Sequence, residues 1–204
     1  MNCASRGRRG FGLLETIVAI GVIVTGLFAV FTLVLSNQRT IDAAKLRFGG
    51  VSAAREGAEV VRMLRDANWQ RGRAFDDGII TGTTYSALPK FSDGAGFTLH
   101  HGVWDFTDHE TQIARLPSGF WTNATEATPP TPAERTPYRR IVRTLPICTD
   151  PAGGSARVIL TEDGETCEAI GAERIGIHVV AMVQWNHGGS TQDARVAADL
   201  YDWR

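Results

Sequence analysis

The sequence predicts an α+β chain: one long N-terminal helix, its first half able to span a membrane, packed on a C-terminal antiparallel sheet. Three features lead there. Residues 16–35 carry no charge. Residues 36–71 repeat apolar side chains at threes and fours, the period of an amphipathic helix. Ile175, Ile177, Val179, Ala181, Val183 and Trp185 occupy every second position, the period of a half-buried strand.

The uncharged run is the first element. About 20 residues at roughly 1.5 Å rise cover a hydrocarbon core of about 30 Å. Arg6, Arg8 and Arg9 precede it, as the positive-inside rule expects of a span. A secretory signal peptide fits less well, because its apolar core is usually about 7–15 residues and no small-x-small cleavage site follows Leu35. A plain single-span anchor fits the hydropathy but gives Glu15, just inside the start, no role. An acid near a bilayer centre costs on the order of 2.5–3.5 kcal/mol, so a partner for it is expected.

The helix continues amphipathically. Its expected stripe is Ile41, Ala44, Phe48, Val51, Ala54, Ala58, Val61 and Leu64, facing a head domain. Gly49-Gly50 are expected to weaken it by roughly 1 kcal/mol each relative to alanine. Glu59 with Arg62, and Arg55 with Glu59, form helical-spacing pairs on a solvated face. A straight helix from Phe11 to Trp69 would be about 88 Å long, a spine suited to bundling of many copies.

The head follows. Between residues 72 and 96, glycines, Asp76-Asp77-Gly78 and Pro89 indicate loops and turns. Residues 97–99 and 103–106 read as short strands joined through His100-His101-Gly102. Adjacent histidines on a strand point to opposite faces, and His109 and Glu110 add no ligand spacing, so no metal is expected. Residues 122–137, rich in Thr and Pro, read as an exposed loop; Asn123-Ala124-Thr125 fits a glycosylation sequon, with an unmodified loop expected. Residues 138–145 and 157–161 read as strands. After the turn at Asn186-His187-Gly188-Gly189-Ser190, Val196, Ala198 and Leu200 mark a return strand.

Catalytic patterns are missing: no GxSxG, HExxH, phosphate loop or paired CxxC occurs. Asp76, Asp77, Asp163 and Glu165 lack EF-hand spacing and read as solvated turn acids. Neither an enzyme nor a cofactor is expected.

Arg8-Arg9-Gly10, then Phe11-Gly12-Leu13-Leu14-Glu15, then the apolar run, resemble the processing site and N-terminal helix of type IV prepilins and pseudopilins. The resemblance implies a leader at 1–10, a membrane-spanning and filament-core helix at 11–35, its amphipathic continuation at 36–71 and a β-rich head at 72–204. It implies cleavage by a prepilin peptidase after Gly10, N-methylation of Phe11, and pairing of Glu15 with the Phe11 ammonium of a neighbouring subunit. The physics agrees: a first-turn carboxylate sits at the positive end of the helix dipole, and an ammonium in low dielectric recovers part of its desolvation cost. Residues 55–62 and 65–69, with the closing Leu200-Tyr201-Asp202-Trp203-Arg204, resemble PilV-like minor pilins. One departure stands out. Many pilin helices carry a kinking proline, whereas the first proline here is Pro89, leaving Gly21 and Gly26 as the soft points of the span.

The family implies an inner-membrane precursor with its head outside, then a subunit of an extracellular or periplasmic filament. Its partners would be the peptidase, other pilin subunits and the pilus assembly platform. A type II secretion pseudopilin, or a non-polymerising single-span binding or adhesin domain, stays open. Loss of Arg6, Arg8 and Arg9 leaves 18 of the 21 basic residues against 22 acidic ones, no footprint for nucleic acid. Loss of Cys3 leaves Cys148 and Cys167, an expected disulfide on the outer side, with two reduced buried thiols as the other reading.

Overall fold

A computed structural model describes residues 12–81, 84–92, 94, 96–116, 119–124, 134–154 and 156–202. The expected leader, Phe11, most of the Thr/Pro-rich stretch and the last two residues lie outside them. The chain divides into two compact units, Met1–Lys45 and Leu46–Arg204. A single helix, α1 (Leu13–Gln70), passes through the boundary, and the second unit adds an antiparallel sheet. This is the α+β, pilin-like class expected.

The strands are β1 (Ser86–Ser92), β2 (Gly96–His101), β3 (Gln112–Arg115), β4 (Trp121–Asn123), β5 (Glu134–Thr149), β6 (Arg157–Ile159), β7 (Arg174–His187) and β8 (Ser190–Tyr201). The long β5 is the hub. One of its edges pairs with β7 from Tyr138 to Cys148, and the other is shared by β3, β1 and β6 in turn. β7 and β8 form a hairpin in unbroken register around Gly188-Gly189. Both glycines have positive φ, +59° and +79°, as a two-residue type I′ turn requires.

The core lies between the sheet and residues 46–70 of α1. Ile177, Val179, Ala181, Val183 and Trp185 line the inner face as their alternation predicts, joined by Val142 and Leu200. The helical side differs from expectation. Ile41, Ala44 and Phe48 are exposed, Phe48 by 77%. Ala54, Ala58 and Val61 are buried as expected, and Gly50, Ala53, Gly57 and Val60 are buried beside them. The sheet contributes the bulk here, so the helix contributes small residues. A Cβ at Gly49 would overlap the Tyr138 ring and one at Gly50 the Trp185 ring; at Gly57 it would lie 3.1 Å from both Arg140 Cδ and Val142 Cγ2. At the glycine pair expected to weaken the helix, two aromatic rings of the sheet lie directly against its backbone.

Several loop expectations are corrected. Pro89 lies inside β1, opposite Leu99. The Gly102 amide bonds the Ser86 carbonyl, so even-numbered residues of β1 face β2, and Pro89 faces the other edge, beyond the last residue paired with β5. Its missing N–H therefore removes no ladder bond. Residues 103–106 are not a strand. Asp105 and Asp108 side chains accept the Thr107 and Asp105 amides at 2.8 and 2.7 Å, and such local bonds compete with a ladder. The Thr107 amide first, and the Thr107 side chain after it, hold the Asp105 carboxyl below its usual range. Of the expected loop 122–137, residues 122–124 are buried and residues 134–137 belong to β5. Of the turn acids, Asp76 is not solvated but paired with Arg174; Asp163 is exposed and accepts the Tyr85 amide at 2.8 Å. The solvated Glu59–Arg62 pair forms as expected, at 2.6 Å.

Cys148 and Cys167 are joined by a disulfide, with Cα atoms 5.5 Å apart. The bond sits in a second apolar cluster with Tyr85, Leu145 and Leu160. It crosslinks residues 19 apart in sequence, closing a loop for which the chain-entropy model gives about 3 kcal/mol. Replacing both cysteines by serine is expected to lower head stability by roughly 2–4 kcal/mol, read by denaturant unfolding of the detergent-solubilised chain. A change below about 0.5 kcal/mol would show that the loop is held by packing alone.

Candidate functional site

The first unit is an apolar surface with little else. Residues 16–35 of α1 are exposed along their whole length, and α1 is long and apolar enough to cross a membrane. Its threonine hydroxyls are internally satisfied. Thr16, Thr25 and Thr32 hydroxyls donate back to the carbonyls of Gly12, Gly21 and Ala29 at 3.4, 2.8 and 2.9 Å. A bilayer or a dry helix bundle demands such closure, since it offers no water to unpaired groups. Gly21, Thr25 and Ala29, four residues apart, place small side chains on one face where another helix can approach closely.

Glu15 lies in the first turn and is exposed, and no basic side chain pairs with it among the described residues. It is the only charge from Gly12 to Leu35. Gly10 and Phe11, the expected processing residues, lie outside the described residues.

The second unit grips its part of α1 through one buried polar cluster. Arg140, on the face of β5 toward α1, has no solvent exposure. Its Nη1 donates to the Ala53 carbonyl and to Glu56 Oε1, each at 3.3 Å, and its Nε to Asn123 Oδ1 at 3.1 Å. Asn123 Nδ2 in turn donates to the carbonyls of Arg140 and Thr111 at 2.9 and 3.0 Å. Arg140 Nη2 has no acceptor among the described residues. Burial pushes the Glu56 carboxyl above its usual range against the opposing pull of Arg140. Burial likewise pushes the Arg140 guanidinium down, against the Glu56 charge. Arginine nonetheless stays charged in proteins. Nearby, the Tyr138 hydroxyl donates to the Leu46 carbonyl at 3.0 Å.

Sequence reasoning missed this cluster. Its signal would have been an arginine at an inward position of an apolar strand, with Glu56 beside the small residues of the facing helix. Asn123, the sequon asparagine, is wholly buried and fully engaged, which removes it as a glycan acceptor.

No group of three or more His, Cys, Asp or Glu side chains suited to a metal occurs among the described residues. His100 is exposed with its ring 5.4 Å from that of Trp104, and His101 Nε2 lies 3.1 Å from the Gly78 carbonyl. An open groove of about 530 Å³ includes Asp105, Arg139 and Trp185. Its Arg139 is already committed to the Asp108 carbonyl at 2.7 Å.

Fold and site together define an α+β protein with a membrane-capable N-terminal helix that continues into a disulfide-bonded β head. Comparison with family models, with curated proteins and with solved structures finds no match.

Two outcomes follow from the buried pair. Arg140→Met strands the Asn123 carbonyl and the half-buried Glu56, and is expected to destabilise the head by about 3 kcal/mol in denaturant unfolding. Glu56 contributes in the other direction with pH. Because its folded-state pKa is raised, its contribution is complete below the ordinary value of 4.5 and falls as pH rises through the raised value. Glu56→Gln should flatten that fall, seen as a pH-dependent Tm difference from the parent between about pH 4 and pH 8.

Proposed function

We propose that this chain is a minor pilin or pseudopilin: a membrane-held precursor, cut after Gly10, methylated on Phe11 and assembled into a type IV pilus-like filament through its helix. The observation that carries the reading is the uncovered helix with one acid in its first turn. An apolar surface of that length needs lipid or other helices around it, and Glu15 needs a cation. A neighbouring subunit's Phe11 ammonium supplies the cation, the dipole at the helix start favours the acid, and the Gly21/Thr25/Ala29 face admits a second helix. The self-satisfied threonines suit transfer from lipid into a dry bundle. The head, held outside, modulates assembly, adhesion or uptake. A type II secretion filament uses the same helix logic. The rival is a single-span anchor whose head binds a ligand and never polymerises; the exposed apolar surface alone favours it equally, and Glu15 separates the two.

Intact-mass measurement in a host with prepilin peptidase is expected to show loss of residues 1–10 and one added methyl group. A membrane-bound chain that still begins at Met1 would count against the proposal. Glu15→Ala should leave cleavage intact while cutting recovery in sheared filaments about tenfold or more, because the partner ammonium is then buried unpaired. Unchanged recovery would remove the charge-pair mechanism and favour the anchor.

A further inference from the structure

β8 is an open edge. It pairs with β7 and, among the described residues, with no other strand. From Ser190 to Tyr201 it carries no proline, and its register with β7 never shifts. The other strands with a single partner, β2 at 6 residues and β4 and β6 at 3 each, are far shorter. A long, regular edge is a ready template for another strand.

The hydrogen-bond phase tells which groups are available. The Asp202 amide bonds the Ile175 carbonyl, continuing the ladder beyond Tyr201. Even-numbered residues of β8 therefore face β7, and Thr191, Asp193, Arg195, Ala197, Asp199 and Tyr201 turn their N–H and C=O groups outward. The same residues from 191 to 199 have exposed side chains on the outer face of the sheet.

Charge then selects the occupant. Edge guards of a single sign would repel a second copy in every register. This edge carries both signs, and in antiparallel self-pairing two alignments set Arg195 against an acid: one centred on Ala194, where Asp193 faces it over residues 190–198, and one centred on Ala197, which overlaps the longer stretch 192–202 and is favoured for it. Centred on Ala197, Arg195 faces Asp199 of the second copy, twice by symmetry, while Asp193 faces Tyr201. Centred on Arg195 or on Asp199, like charges meet head on; centred on Val196, Asp193 meets Asp199. Like charges directly opposite destabilise a strand pair and opposite ones stabilise it. Among the described residues Arg195 pairs with the exposed Asp193, at 3.2 Å, a surface pair weak enough to exchange.

The geometry points to a second copy of this chain as the partner of β8: two heads join across a two-fold axis at Ala197 into one continuous sheet. The inference rests on the head alone and does not need the proposed function. A helical filament relates neighbours head to tail, so a two-fold contact would join copies from separate filaments or copies not yet incorporated.

Single cysteines at 195, 197 and 199 in the full chain, in a Cys3→Ser background in detergent micelles, test it under mild oxidation. At 197 the two Cα atoms of a hydrogen-bonded pair lie about 5.5 Å apart, within disulfide range. At 195 or 199 the two copies of the cysteine are offset by four residues, about 13 Å, beyond it. Dimer is expected for Ala197→Cys and not for Arg195→Cys or Asp199→Cys. No dimer at 197, or equal dimer at all three, overturns the proposal. Adding Arg195→Asp to Ala197→Cys should lower the crosslinked fraction about tenfold, and further adding Asp199→Arg should restore it. An Arg195→Asp variant that crosslinks as well as its parent overturns the register.

Discussion

The head depends on how closely one face of a helix approaches a sheet. Over residues 49–58 of α1, Gly49, Gly50, Ala53, Ala54, Gly57 and Ala58 expose backbone to β5 and β7, and the large side chains of Tyr138, Arg140 and Trp185 fill the space between. Without that approach, the Arg140 guanidinium would reach neither the Ala53 carbonyl nor Glu56. A charge wholly out of water is tolerable only where its donors find acceptors, and the helix supplies two of the three. Close packing and buried charge are one device: the glycines make the room, and the arginine fills it.

β5 organises the rest. Because it is longer than any of its partners on the far edge, it lends that edge to three short strands in succession. Side chains add bridges to the ladders. Asn123 ties β4 to β5, the Thr122 hydroxyl accepts the Phe91 amide of β1, and the disulfide tethers the end of β5 to the segment before β7. The three rings of Phe91, Phe97 and Phe120 close the outer corner, with centroids 4.6–5.8 Å apart.

What can be read from the sequence follows from what periodicity can encode. Residues 175–185 are legible because one face is buried along the whole strand, so alternation survives. The membrane-capable helix is legible because a run uncharged from Thr16 to Leu35 can hide so much apolar surface only in lipid or among other helices. The start of the helical stripe, Ile41 to Phe48, is misjudged when hydrophobicity marks burial, whereas at this interface smallness marks it too; Phe48 is exposed and Gly50 is not. β1, β3 and β4 are illegible because a short strand fixed by side-chain bridges carries no period, and Pro89 reads as a breaker until its edge is known. Arg140 cannot be found from its own strand, since its reason for being inside lies on a helix more than eighty residues earlier. Asn123 shows the same limit: a surface motif by pattern, it serves as an internal strut.

The Tyr138 bond to Leu46 has a mechanical consequence. It meets α1 at the first residue of the second unit, and Trp185 and Arg140 engage the same helix one and two turns further on. A pull along the axis of α1 would therefore strain these contacts side by side, in shear, instead of opening them in sequence as peeling would. Attachments loaded in parallel share tension, so the grip of the sheet on residues 46–57 of α1 suits traction better than peeling.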